Sequence, residues 1–318
     1  MKIRFLATFL FLVPIFLFSQ NSSDKIVYYD SIWKDASKEN YQFYRIIKDY
    51  YTEKDLYQIK DYYKSGVLQM DGNSKTKDGF SKEGKYVYYY ENGKKKKEEN
   101  YIKSRLNGSF SEWYENGNPK LEGEYVESEK GINSDLKIYE FWNSKNEHTV
   151  QKGNGWYEDD KEDNAEYLLA QGNIKNGLRD GEWKGLNRDL KYQYIDNYDK
   201  GKFISGRSKN SEGVIREYNE LESKPSPKKG IQDFYNFIGA NFSKTKEAVA
   251  NKVTGRLVIL FIIEKDGKIT EPKMLKSLGY GLDEEAIRVI SSYGNWIPGQ
   301  QRGVPVRVQY SIPLTITE

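Results

Sequence analysis

Two ten-residue stretches of this chain are versions of one another. Gly84-Lys-Tyr-Val-Tyr-Tyr-Tyr90-Glu91-Asn92-Gly93 returns 24 positions on, from 84 to 108, as Gly108-Ser-Phe-Ser-Glu-Trp-Tyr114-Glu115-Asn116-Gly117. A period in the twenties marks stacked units, none of which buries its apolar face alone. Each unit is a β-hairpin: Asn-Gly sits between alternating aromatic runs, the setting for a tight primed turn. Tyr63-Lys64-Ser65-Gly66 is a weaker, earlier copy of the turn. A second element, a Lys followed by a terminal Gly before an aromatic strand, recurs at 101–108, 173–181 and 198–206. The period fades between Glu127 and Leu168, with Gly155-Trp156-Tyr157 as a remnant. Asp24 to Gln69, with Tyr28-Tyr29, Tyr41 to Tyr51 and Leu56 to Tyr63, reads as the strands that begin the meander.

Such strands need rings. The chain has 27 Tyr in 318 residues and a hydrophobic fraction of only 37%, so aromatic side chains carry much of the burial. Charge is near balance, +3 from 50 basic and 47 acidic residues, which argues against a nucleic-acid binder. Lys94 to Lys97 follows a hairpin turn and reads as lysine protection of an edge strand.

Gly255 to Ile316 has a different grammar. Gly255 to Ile263 is a β-branched apolar run, a buried strand. Asp266-Gly267 turns it into a return strand, Ile269 to Leu275, which Pro272 assigns to an edge or a bulge. Leu282, Ala286, Val289 and Ile290 form one helical stripe behind an acidic first turn that includes Asp283. Val304, Val306, Val308, Tyr310, Ile312, Leu314 and Ile316 then alternate with polar residues and prolines, one strand with a core face and a wet face. Pro305 and Pro313 put part of it at a sheet edge. Glu220 to Gly230, with Pro225 and Pro227, reads as a linker. Ile231, Phe234, Tyr235 and Ile238 at helical spacing open the second domain.

The ordered motifs Gly255, Asp266-Gly267, Leu282-Asp283…Ala286, Trp296…Pro298-Gly299 and Tyr310…Pro313 resemble the TonB C-terminal domain, in the form common in Bacteroidetes-type bacteria, over about 231–316. The resemblance implies a compact α/β domain that meets outer-membrane receptors by strand addition, with Gly255, Gly267, Gly281, Trp296 and Pro298 serving the fold. The hairpin units resemble degenerate MORN-type repeats, on Gly84, Tyr90, Gly93, Gly108, Trp113, Tyr114, Gly117, Gly181 and Trp183. The expected fold is therefore α+β and mostly β, an antiparallel hairpin-repeat sheet at 20–219, a linker at 220–230 and a small TonB-like α/β domain at 231–318.

Residues 1–19, with Lys2 and Arg4 before an apolar run interrupted by Pro14, read as a cleaved signal peptide and so as export to the periplasm. With no cysteine, neither disulfides nor an N-terminal lipid-bearing Cys is available. One histidine, His148, and no cysteine exclude Cys–His and multi-His sites, and no serine sits in a Gly-x-Ser-x-Gly elbow. Glu158 to Asp163 lacks the spaced glycine of a Ca²⁺ loop and reads as a solvated charge run. The expectation is a non-enzymatic protein without metal or cofactor.

Its partner-binding residues are Arg307, Gln309 and Ser311, on the outward face of the last strand. The expected partner is an outer-membrane TonB-dependent receptor or another envelope protein, not nucleic acid, with docking or homodimer formation through the same domain. Two alternatives stay open: an energy transducer whose N-terminal segment is an uncleaved anchor, and an envelope protein whose repeats bind the ligand. The chain departs from the family in having no histidine in 1–19, no long Pro/Lys spacer, and Lys244-Thr245 where a Tyr-Pro often stands.

Overall fold

The computed structural model describes residues 23–127, 134–159, 169–294 and 296–317. The expected signal peptide and most of the acidic run from Glu158 lie outside them. By contacts the chain divides into two compact units, up to Leu136 and from Lys137 onward.

The first unit is an antiparallel meander. Its strands are β1 (Lys25–Tyr29), β2 (Phe43–Ile47), β3 (Tyr57–Tyr63), β4 (Leu68–Ser74), β5 (Lys82–Tyr89), β6 (Lys95–Ile102), β7 (Arg105–Leu106), β8 (Gly108–Trp113) and β9 (Pro119–Glu127). Each hairpin joins neighbours in sequence, and β6 pairs with β5 on one side and with β7 and β8 on the other. Lys94 to Lys97 therefore do not guard an edge. Lys95 meets Glu98 and Lys97 meets Glu99, while Lys96 and Lys97 lie 5.2 and 4.6 Å from the ring centres of Tyr90 and Tyr88. The lysines cover aromatic rings.

The second unit continues as β10 (Ser134–Trp142), β11 (His148–Gln151), β12 (Asn154–Glu158), β13 (Leu169–Lys175), β14 (Leu178–Asn187), β15 (Tyr192–Asp199), β16 (Lys202–Asn210) and β17 (Ile215–Tyr218), again antiparallel in sequence order. The meander thus persists through 134–158, where the sequence period fades. His148 is tied in, its Nε2 2.6 Å from Glu140 Oε2 and its ring stacked on Trp142.

The two hairpin ends use different turns, and the primed turns are at the end not expected. At Asn92-Gly93 the Tyr90 N–H donates to Lys94 O and the Gly93 N–H to Tyr90 O, both at 2.9 Å. Gly93 has φ 81° while Asn92 stays at negative φ. That is a three-residue type I turn closed by a glycine bulge, whereas a primed turn needs positive φ at both central residues. The Asn92 side chain instead accepts the Lys94 N–H at 2.9 Å. The primed turns are Lys103-Ser104, Lys152-Gly153, Asn176-Gly177 and Lys200-Gly201, each with two positive φ values. Successive turns are laced one repeat apart: Tyr63 Oη donates to Tyr89 O and Tyr90 Oη to Trp113 O, both at 2.8 Å.

The strand cores are built from rings laid on glycine. A Cβ on Gly72 would fall 2.4 Å from the Tyr86 ring, and one on Gly172 2.5 Å from Trp183. The same rings donate to the next carbonyl, Tyr86 Oη to Asn73 O at 2.7 Å and Trp183 Nε1 to Asn173 O at 3.0 Å. One side chain thereby fills the gap over a bare backbone and satisfies a buried acceptor.

After β17 come two short strands, β18 (Glu222–Ser223) and β19 (Ser226–Pro227), inside the stretch expected as a linker. Then follow α1 (Ile231–Asn241), α2 (Lys246–Ala250), β20 (Gly255–Ile263), β21 (Ile269–Lys276), α3 (Leu282–Ser292), β22 (Trp296–Ile297), β23 (Gly299–Gln301), β24 (Val304–Val306) and β25 (Val308–Ile316). β18 pairs with β23 and β19 with β22. This α/β part has an aliphatic core: Leu257, Ile259, Phe261 and Ile263 from β20 pack on Leu282, Ala286, Val289 and Ile290 of α3 and on Phe234 and Ile238 of α1. The α3 stripe is the one its spacing predicts; in α1, Ile231 and Tyr235 stay exposed. Thr245 caps α2, accepting the Ala248 N–H at 3.1 Å. The fold is mostly β with a small C-terminal α/β domain, as expected.

Buried phenols give the fold a base-labile component. Burial pushes Tyr86, Tyr125 and Tyr194 up to about 12, opposed at Tyr86 by Arg45 and at Tyr194 by Arg302 and Arg179 and assisted by nearby carboxylates, against an ordinary value of about 10. The folded state favours the neutral phenol, so this contribution is full below pH about 10 and is lost as pH rises toward about 12. Absorbance at 295 nm should show these tyrosines un-ionised until far-UV circular dichroism collapses in that window. Reversible titration of every tyrosine near pH 10 with circular dichroism unchanged would contradict the arrangement.

Candidate functional site: an edge strand and its anchor

β25 runs antiparallel to β20 along its whole length, from Gly255 opposite Ile316 to Ile263 opposite Val308. The sheet order is β21-β20-β25, so among the described residues no strand pairs with the second flank of β25. The sequence alternation is realised in the side chains: Ile312, Leu314 and Ile316 are buried, Gln309, Ser311 and Thr315 exposed. The long alternating run is not one strand, however. It breaks at Arg307, and Val304–Val306 turn away to pair with β23. Pro313 lies opposite Val258 within the β20–β25 ladder.

The three expected contact residues fall into two kinds. Arg307 is engaged inside its own sheet, with Nε 2.9 Å from Glu264 Oε1 and a second nitrogen on Glu271. Those carboxylates raise its pKa further. Gln309 and Ser311 carry no side-chain partner among the described residues and are exposed on the face of the sheet away from the core.

The residues expected to serve the fold do so by close packing. A Cβ on Gly267 would meet Trp296 O at 2.2 Å, so the β20–β21 turn fits only with glycine there. Asp266 accepts the Lys268 N–H at 3.0 Å within that turn. Pro272 lies in the bulge where β21 loses register with β20. A Cβ on Gly255 would meet Leu278 at 2.9 Å and one on Gly299 would meet Val308 at 2.6 Å. Asp283 accepts from the Leu278 N–H at 3.3 Å and from the Ser277 hydroxyl. Pro298 separates β22 from β23. Trp296, fully buried, stacks edge-on against Tyr310 with ring centres 5.2 Å apart. Its indole N–H finds no acceptor among the described residues.

With this geometry in place, residues 245–315 match the family model described as Gram-negative bacterial TonB protein C-terminal. This part of the chain is TonB-like. No curated protein matches the chain. The TonB-like domain has an envelope-transport family behind it, and its family's general partners are outer-membrane TonB-dependent receptors.

A contact that sequence reading missed fastens the TonB-like domain to the hairpin strands of its own unit. The β23–β24 turn, Arg302-Gly303, is a fifth primed turn, with φ 47° and 73°. Arg302 reaches Asp196 on β15 with two nitrogens at 3.0 Å, and its guanidinium lies 3.9 Å from the Tyr194 ring centre. Asp196 is fully buried and Arg302 is 6% exposed. Burial alone would lower the arginine pKa, but Asp196 more than offsets it and the net shift is upward. Tyr218 donates to the other Asp196 oxygen, Ser208 Oγ to Arg302 O at 2.9 Å, and Asn187 Nδ2 to Gln301 Oε1 at 3.0 Å. Nothing local in the sequence marks Asp196 as the partner of a residue 106 positions away.

Removing one partner from this pair leaves a buried charge uncompensated, which costs about 3–5 kcal/mol. Asp196→Ala should therefore lower the urea midpoint sharply, and Arg302→Met added to it should recover most of the loss. Additive losses in the double variant, or single losses below about 1 kcal/mol, would show that the pair is not the fastening.

Proposed function

We propose that this is a non-enzymatic envelope protein that docks outer-membrane transport partners through its TonB-like domain. The observation that carries the reading is the unpaired flank of β25 in a domain that matches the TonB C-terminal family. An extended segment of the partner adds to that flank through main-chain hydrogen bonds, and the alternating outward residues Gln309 and Ser311 read its side chains. Arg307, tied to Glu264 and Glu271, sets the corner from which the strand departs.

In this reading residues 1–19 are removed on export and the protein works in the periplasm. The hairpin repeats at 20–219, of the MORN-like kind, serve as the interaction scaffold, and residues 231–318 do the docking. No helix among the described residues is long and apolar enough to cross a membrane.

The test is site-specific photo-crosslinking in intact cells. A crosslinker at Gln309 or Ser311 should capture an outer-membrane protein, and one at Lys273, exposed on the opposite edge strand β21, should not. Capture of a second copy of the chain would turn the edge into a dimer contact. Equal capture from both edges, or none at 309 and 311, would sink strand addition at β25.

A further inference from the structure

The first unit contains a cavity of about 280 Å³ whose lining includes Trp33, Arg45, Asp61, Lys82, Tyr86 and Tyr88. Trp33 reaches it in an unusual way. The Asp30–Lys34 turn has the hydrogen bonds of the three-residue hairpin turns, Asp30 N–H to Lys34 O at 2.9 Å and Trp33 N–H to Asp30 O at 3.3 Å. In the equivalent turns the left-handed position holds Gly66, Gly93, Gly117, Gly213 or Gly267, and in one more Asn146. Here it holds tryptophan, at φ 60°, a conformation that strains a bulky residue. Asp30 Oδ1 holds the turn by accepting the N–H groups of Ile32 and Lys34 at 2.8 and 3.0 Å. The indole lies flat on Phe43, ring centres 4.6 Å apart and planes 7° from parallel, yet remains 40% exposed.

The charged groups in the cavity are unevenly matched. Arg45 and Asp61 neutralise each other through two bonds of 2.7 and 2.9 Å. Lys82 is half-buried, and its ammonium donates to Tyr88 Oη and Tyr101 Oη at 3.1 Å each. It lies 4.8 and 4.5 Å from the ring centres of Tyr86 and Tyr101. Among the described residues no carboxylate pairs with it. An ammonium has three donors, so one is unspent, and the lining keeps one net positive charge. Burial pushes the Lys82 pKa below the usual lysine range, against the upward pull of Glu99, which accepts from the Tyr101 hydroxyl that Lys82 also contacts.

We propose that this cavity binds an acidic sugar, with the pyranose ring on the indole of Trp33 and the carboxylate on the ammonium of Lys82. A sugar presents an apolar C–H face that suits a flat ring. A bare anion would have no use for the tryptophan, and a neutral sugar would leave the third Lys82 donor without an anion to meet. The volume, about 280 Å³, lies just below the roughly 300–1,000 Å³ of ligand pockets, which suits one ring, with the rest of a saccharide outside. The site stands apart from the edge-strand reading and does not depend on it.

The full chain should be titrated calorimetrically with trigalacturonic acid, with maltotriose as the uncharged arm and inorganic phosphate as the bare-anion arm. Trigalacturonate should bind at least tenfold more tightly than either and should weaken as salt screens the Lys82 contact. Lys82→Met should remove at least that tenfold preference. Trp33→Gly restores the residue the turn otherwise carries, so it should keep or raise the melting temperature while losing saccharide binding. Failure of the wild type to bind trigalacturonate, undiminished binding by either variant, or phosphate binding of equal strength would overturn the proposal. Crosslinking from Gln309 should be unchanged in Trp33→Gly, so the two readings fail separately.

Discussion

The hairpin strands depend on rings laid flat against bare backbone. Tyr86 over Gly72, Trp183 over Gly172, Tyr194 over Gly185 and Tyr218 over Gly206 all leave no room for a Cβ beneath them. Such a ring brings more buried area than an aliphatic chain in the same place, and its polar end can close a main-chain acceptor. This explains how a chain with few large aliphatics outside its last hundred residues still forms a long run of strands. It also explains why the strands carry so much tyrosine: a phenylalanine would cover the glycine and leave the carbonyl of Asn73 without its donor.

The TonB-like part solves the same problem with aliphatics. β20 is flanked by β21 and β25 and buries its alternate residues beneath α1 and α3, so its two neighbours are both edges. β21 is spoiled as an edge by the bulge at Pro272 and by the charged residues around it. β25 is regular from Val308 to Ile316. In the proposed reading this difference between the two edges is what selects β25 for docking. The Arg302 hairpin gives that domain a fixed seat on the strands of its unit, because a buried ion pair with its remaining lone pairs satisfied tolerates little displacement.

Much of this architecture was legible. The run from Gly255 to Ile263, the α3 stripe and the alternation from Val308 to Ile316 each carry a local period that burial then follows. The prolines announced a bulge and an edge, and both are present. The turns were misread because Asn-Gly occurs in both hairpin types; the Asn92 side chain capping Lys94 favours the bulged form, while Lys-Gly and Lys-Ser pairs take the primed one. Lys94 to Lys97 looked like an edge guard because sequence does not say how many neighbours β6 has. Of the site residues, Gln309 and Ser311 stand where the alternation puts them, whereas the partners of Arg307, Glu264 and Glu271, lie across the sheet from it.

The sequence by itself determined the class of each segment: aromatic hairpins, then a linker-like stretch, then a short α/β domain with TonB-like motifs. Periods of two and 3.6 are properties of a strand and a helix, and they survive without any knowledge of neighbours. Only the tertiary structure decided that Arg302 seeks Asp196, that Lys82 meets tyrosine hydroxyls and reaches Glu99 through one of them, and that β25 has one flank unpaired among the described residues. Those facts concern pairs of residues far apart in the chain, whose meeting is fixed by strand order and by the desolvation of charge, and neither leaves a local trace.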